Sequence, residues 1–482
     1  MEGKNVLLEE GKLSFFKRHR NEAFFVLAVL MGLLVVVLPL SIEFSEQRIL
    51  AVVVFMLILF MSEAVPFSVA GLTGCVLFWC VCGLSFSNSF SGFSDNTPWF
   101  ILGALMIGSM ASKTNIPTRV ACHLLKKFGT SYPAMLFGLI VLDFALTPIM
   151  PSGSARVVVL CTTALGLIDS YGLDRRSNVA KGMVLILTYS ATIFGKTMIA
   201  GAASIMSRGI IETVGGVELS WGRWFFAFAP VDLITMVAFW YITLKMYPPE
   251  IKGFSAKDDD SFIEGKLRDL GPMKPADYRV IVLLVIAMVL WCTDFWHGIS
   301  AAKVCLAIGL MGFIPGFGIL NKDDFSRLNF GVFVFVGAAI SMSNLLSKTS
   351  ILTNASSFLF DWLTPILGNS HLLAGVLYIL SNIFHLFLGE ETALLGSTLP
   401  IVIQWAVNNN LHPETIGMIW TFSAGGKLFM YQSAVLALGY TFGTFTTKDV
   451  LKMGAMIILV ELVVITLIVP TYWHLVGFDF YF

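Results

Sequence analysis

Charge is what this sequence has least of. Only 13% of its 482 residues are Asp, Glu, Lys or Arg, well short of the roughly one-quarter found in soluble domains. The 31 basic residues are cancelled by 31 acidic ones, and no basic or acidic tail is present. A chain of this kind has no field to gather nucleic acid, so nucleic-acid binding is excluded. Cysteine is sparse as well. The seven residues Cys75, Cys80, Cys82, Cys122, Cys161, Cys292 and Cys305 lie mostly in apolar runs, are odd in number and form no C-x-x-C pair. They read as small buried hydrophobes rather than metal or redox groups. No H-E-x-x-H spacing occurs, so neither a metal site nor a cofactor is expected. A small-residue cleavage site after the first apolar stretch is also missing, which argues against a cleaved leader.

What fills the chain instead is hydrophobic residue, 56% of the total, together with 42 glycines. This is the composition of a polytopic membrane protein, in which glycine serves close helix packing and helix breaks. Lys12, Lys17, Arg18 and Arg20 precede a charge-free run from Ala23 to Ile42, 20 residues long. That just crosses a hydrocarbon core of about 30 Å. By the positive-inside rule the chain starts in the cytoplasm.

Further apolar stretches fall near residues 49–65, 67–85, 97–112, 131–170, 179–209, 223–246, 279–293, 300–316, 330–346, 371–407, 416–440 and 453–472. Two of them, 131–170 and 371–407, are too long for one crossing and carry breakers at their middles. These are Pro151-Ser152-Gly153-Ser154 and Gly389-Glu390-Glu391-Thr392. Each reads as a re-entrant hairpin, whose non-helical tip must line a cavity because lipid cannot satisfy its backbone. The fold expected is therefore all-α, with about eleven transmembrane helices and two hairpins. An odd number of crossings puts the C-terminus outside. Lys113, Arg119, Lys126 and Lys127, then Arg175, Arg176 and Lys181, then Lys252 through Arg279, then Lys448 and Lys452 mark the cytoplasmic loops.

The chain divides into a segment with the first span (1–47), a first repeat (48–246), a solvated cytoplasmic linker (247–278) and a second repeat (279–482). Ser112-Lys113-Thr114-Asn115-Ile116 recurs as Ser347-Lys348-Thr349-Ser350-Ile351. Ser154-Ala155 recurs as Thr392-Ala393, and Gly195-Lys196 as Gly426-Lys427, at offsets of 231–238 residues. Five crossings per repeat is odd, so the copies are inverted, and inverted repeats with discontinuous helices point to a secondary transporter.

The tip Ser152, Gly153 and Ser154 offers hydroxyls and the unpaired N–H groups of a helix start, an arrangement that binds a carboxylate. N-capping by Ser152 is the plainer and compatible role. Arg156 is an ionised side chain in a charge-free stretch, a candidate for the same carboxylate. The alternative for it is a pair with Asp143. At the second tip Glu390 and Glu391 would repel an anion, and one of them is suited to facing a cation or carrying a proton. His385, on the same hairpin, is most simply a hydrogen-bonded structural histidine. Lys196 and Lys427 each follow glycine inside a long apolar stretch and away from any helix end. A fixed ammonium at mid-membrane stands where a transporter would otherwise bind Na⁺.

The run Thr147-Pro148-Ile149-Met150-Pro151-Ser152-Gly153-Ser154-Ala155-Arg156, with the ending Tyr472-Trp473-His474-Leu475-Val476-Gly477, resembles the divalent anion:sodium symporter (DASS) family. Its citrate and dicarboxylate exchangers carry Pro-Ser-Asn-Thr-Ala-Arg at this tip. The resemblance implies an elevator transporter, usually a homodimer, with substrate carboxylates held at both tips, here by Ser152, Gly153, Ser154 and Thr392. Gly153 replaces the family's Asn, Glu390 and Glu391 replace its Ser and Asn at the second tip, and Lys196 and Lys427 occupy the segments that complete its sodium sites. The expectation is thus a sodium-independent exchanger of a small C4 or C5 organic dianion in the inner membrane. A net positive empty site, unable to cross without substrate, would enforce the exchange, unless each lysine is already paired with Glu390 or Glu391. The alternatives are a sodium- or proton-coupled symporter using Glu390 or Glu391, an anion channel, and, least in keeping with the repeats, an intramembrane enzyme built on His385 with Glu391 or on Lys196.

Overall fold

The computed structural model describes residues 2–40, 42–128, 131–199, 201–251 and 256–481. Lys252 and the side chains of Lys12, Lys17, Arg18 and Asp258 to Asp260 lie outside that description. Among the described residues the fold is helical throughout, with one isolated bridge between Leu411 and Tyr481 as its only extended pairing. Eight helices are long and apolar enough to cross a membrane, and nine if a bent pair counts as one span. The protein is a multi-pass membrane protein.

The first helix runs unbroken from Glu2 to Val37, so the polar N-terminal stretch continues into the first span instead of leading to it as a coil. Phe44–Ser62 follows and ends on Glu63, which takes a left-handed conformation (φ 51°), before Pro66 opens Phe67–Cys80. The expected long stretches resolve into hairpins. Tyr132–Leu146 and Gly153–Ser170 are joined by a turn whose prolines, Pro148 and Pro151, cannot continue a helix. Ser370–Phe387 and Glu391–Asn408 are joined by residues 388–390.

Two further spans are interrupted. Asn178–Thr197 stops and Ala202–Gly215 begins after Gly201. In the second half Pro413–Thr421 tightens to a 3₁₀ turn at Phe422–Ala424, and a helix resumes only at Ala434–Thr441. The sequence pattern gave 416–440 as one apolar run, and apolarity alone does not reveal that Gly425 and Gly426 end the helix there. Each second-half α-helix from Phe330–Leu346 to Ala434–Thr441 begins 232–238 residues after a first-half α-helix.

Two regions depart from expectation. Residues 116–128, read as a basic loop, form a helix with one apolar face: Ile116, Ala121, Cys122 and Leu125 are buried, while Lys126 and Lys127 close its last turn. Its second-half counterpart, Ser350–Ile366, turns 92° from the helix before it. The stretch 247–278 is also not an open linker. Ala256–Asp269 is a helix that anchors Ile263 in the interior. It bonds the helix at 116–128 through Lys126 to Glu264 (2.8 Å), and Arg119 reaches the carbonyl of Leu270 just past its end (3.0 Å).

Candidate functional site

A single cavity of about 650 Å³ collects both hairpin tips and both interrupted helices. Ser152, Gly153 and Ser154 line one wall, Glu390 and Glu391 another, and Thr192, Gly195, Lys196 and Ala424 the floor between them. Lys113 and Asp324, themselves ion-paired, and Arg327 stand at its rim.

At the first tip the Ser152 hydroxyl caps the N–H of Ala155 (3.3 Å). That leaves the N–H groups of Gly153 and Ser154, which have no intrahelical acceptor, directed at whatever enters. Gly153 is needed for closeness. A Cβ there would lie 3.1 Å from Val435 Cγ2 and 3.3 Å from the Ala191 carbonyl oxygen. A side chain at this position would need its neighbours to give by a few tenths of an ångström, so the glycine lets the tip sit close while its N–H still faces the cavity.

Arg156 is not among the residues that line this cavity, and it makes the pair with Asp143 that was the alternative to a substrate contact. Its side chain is fully buried, with Nε 2.8 Å from Asp143 Oδ1, Nη1 2.8 Å from the Met150 carbonyl and Nη2 2.9 Å from the Ala191 carbonyl. Asp143 also accepts from the Ser190 hydroxyl (2.8 Å). The guanidinium spans the tip and the helix behind it, and so fixes the position of Ser152 to Ser154. The tip's carbonyls, which no helix satisfies, supply the physical reason. Thr392 is turned toward its own hairpin tip. It is buried, and both its N–H and its hydroxyl turn onto the Glu390 carboxylate.

Lys196 is not left as a bare cation. Its ammonium lies 2.7 Å from Asp232 and 3.2 Å from Glu461, and 5.1 Å from the centre of the Phe422 ring. Thr197 donates to the other oxygen of Asp232 (2.6 Å) and Tyr378 to that of Glu461 (2.6 Å). Lys427, fully buried, lies 2.8 Å from Glu391 and donates to the carbonyl of Ala424 in its own break. The expected net positive empty site is therefore replaced by internally neutralised lysines. Sequence reasoning passed over Asp232 and Glu461. Each is an isolated carboxylate within an apolar run, the same signal that flagged Lys196. His385 holds the carbonyl of Ser423 through Nδ1 (3.0 Å), in keeping with a structural role.

Residues 18–478 match the family described as the sodium:sulfate symporter transmembrane region. The chain belongs to this family of membrane transporters. Among relatives, the L-tartrate/succinate antiporter of Escherichia coli K12 is 24% identical over 402 residues, 80% of each chain. The inner membrane protein YbhI of the same strain is 25% identical, covering 81% of this chain and 82% of its own. Two solved structures share the fold at 12% identity. Neisseria gonorrhoeae MtrF has a TM-score of 0.57 over 78% of this chain and 82% of its own. Alcanivorax borkumensis YdaH has 0.53 over 81% and 88%. The likeness to the symporter family thus covers both hairpins and both breaks.

Two outcomes follow from these pairs. Arg156→Ala strands Asp143 inside the protein and is expected to cost about 3–5 kcal/mol, with Asp143→Ala added recovering part of it. Thermal unfolding of the purified protein measures both. Lys427→Gln and Glu391→Gln should each depress transport by about tenfold or more, and the double variant should transport better than either single one. A double variant no better than the worse single one would show that the pair is not closed on itself.

Proposed function

We propose that the protein is a secondary transporter, and not an enzyme, that exchanges small organic dianions of the C4 or C5 dicarboxylate class across the inner membrane without sodium. The observation that carries this reading is the filling of both helix breaks by lysine ammonium groups beside a cavity with an anion-binding helix start. In a symporter a mobile cation would satisfy carboxylate and carbonyl oxygens at such breaks. Here Lys196 does so for Asp232 and Glu461, and Lys427 for Glu391 and the Ala424 carbonyl. With no sodium to carry energy, uptake of one dianion is driven by release of another. The name of the E. coli relative, an L-tartrate/succinate antiporter, favours the same class of substrate and the same mode.

The rest of the architecture follows this reading. The repeats 48–246 and 279–482 are inverted, with 1–47 preceding them and 247–278 on the cytoplasmic side between them. The helices flanking the cavity move as an elevator against the remainder, in a homodimer embedded in the bilayer. The N-terminus is cytoplasmic and the C-terminus outside. The recurring helix order supports the repeat, and the basic residues of the predicted inner loops support the orientation.

Proteoliposomes test the transport reading. Labelled succinate or L-tartrate should enter vesicles preloaded with the same dianion, enter empty vesicles far more slowly, and do so equally in Na⁺, K⁺ or choline. Uptake into empty vesicles that depends on a sodium gradient would overturn it. Orientation is tested separately by cysteine labelling in whole cells. Asn408 and Arg176 are both exposed, so Asn408→Cys should react with an impermeant reagent from outside and Arg176→Cys should not.

A further inference from the structure

The buried centre of the molecule holds more carboxylates than cations. Arg156 closes on Asp143, Lys427 on Glu391, and Lys196 on both Asp232 and Glu461. Glu390 has no cationic partner among the described residues. Its Oε2 accepts from the N–H of Thr392 (2.8 Å) and from the Thr392 hydroxyl. Three carboxylates line the cavity. Glu391 has Lys427 and Asp324 has Lys113, so Glu390 is the one left without a counter-charge.

Its surroundings offer none. On its own hairpin stand Glu391 and His385, the latter bonded to Ser423. The second break brings Lys427, held by Glu391, and Tyr431, whose hydroxyl is taken by the carbonyl of Leu386 (2.9 Å). From the end of helix Phe44–Ser62 comes another carboxylate, Glu63, whose Oε1 lies 3.2 Å from where a Cβ on Gly389 would sit. Across the cavity Lys196 is shared between Asp232 and Glu461, Lys113 is paired with Asp324, and Arg327 is exposed at the rim.

The first tip presents helix-start donors to one end of a dianion. The second presents an acceptor to the other end, where an ionised Glu390 would repel a carboxylate and a protonated one would donate to it. We propose that Glu390 is a proton-binding site obligatorily linked to dianion binding, so that each dianion crosses with one proton on this residue. The proton comes from the water of the cavity and forms the Glu390 hydroxyl, which donates to the substrate's second carboxylate. It returns to water when the dianion leaves on the opposite side. This rests on the dianion reading above and adds to it that exchange is proton-linked.

The test uses L-tartrate, whose carboxyls are both ionised well above about pH 5, so that any proton taken up belongs to the protein. When it is added to the purified, weakly buffered protein at about pH 8, a pH indicator should report up to one proton taken up per tartrate bound. In exchange assays the apparent affinity should weaken by up to about tenfold per pH unit above the titration of Glu390. Glu390→Gln should abolish the uptake and flatten the pH dependence, whereas Glu390→Asp should retain both. Tartrate binding without proton uptake in the unmodified protein overturns the proposal, whether or not Glu390→Gln folds. Uptake that persists in a folded Glu390→Gln protein overturns it as well. If neither L-tartrate nor succinate is bound or exchanged, the dianion reading itself falls and takes this one with it, an outcome seen in the exchange assay without any pH measurement.

Discussion

A polar group buried within a membrane-spanning body has no water to fall back on, and each orphan costs about 1–3 kcal/mol. That constraint governs this molecule because, among the described residues, the chain interrupts its apolar helices at two hairpin turns and at two breaks beside the cavity. Every interruption is held by side chains whose positions follow from the need. Arg156 takes the carbonyls of the first tip. Ser204 takes those of Gly195 and Met198 at the first break. Gln432 accepts from the N–H groups of Leu428 and Phe429 at the second break and donates to the carbonyl of His385, tying that break to the second hairpin. The cavity exists because these devices replace the helical hydrogen bonds that the chain has given up.

The two halves close on each other at the lysines. Lys196, from the first half, finds Glu461 from the second, and the Tyr189 hydroxyl, from the first half, reaches the carbonyl of Lys427 (3.0 Å). Gly425 passes between them with no room for a side chain: a Cβ would stand 2.6 Å from Glu461 and 2.7 Å from the Lys196 ammonium. A buried ion pair of this kind adds little net stability over a well-packed apolar core, but breaking it is costly. The pairs therefore act mainly to fix one arrangement of the breaks, and with it the distance between the two tips. Both buried lysines are thereby paired, and the electrical argument for exchange loses the net positive site it started from.

The tips are unlike each other despite the repeated helix order. One wall is built of serines, glycine and helix-start N–H groups, the other of two glutamates, one tied to lysine and one not. The cavity is therefore lined by donors on one side and by carboxylates on the other.

By itself the sequence determined the class of the molecule, its apolar spans and the two places, near 147–152 and 388–390, where long apolar runs break. Those features are local: apolar runs long enough to cross a bilayer, and breakers within runs too long to be single spans. It also singled out Ser152, Gly153 and Ser154, because a helix start is legible from its own residues. What each charged side chain meets was decided only by the tertiary structure. Arg156 sits two residues from the tip and could be read toward the ligand or toward Asp143. Packing against Ala191, 35 residues away in the chain, decided the second. Asp232 and Glu461 lie far from Lys196 in sequence and converge only because the helices that carry them pack against the same break. Partners on different helices, 36 residues away for Asp232 and 265 for Glu461, leave no periodic trace, so which carboxylates pair with Lys196, and the solitary position of Glu390, became visible only once the chain was folded.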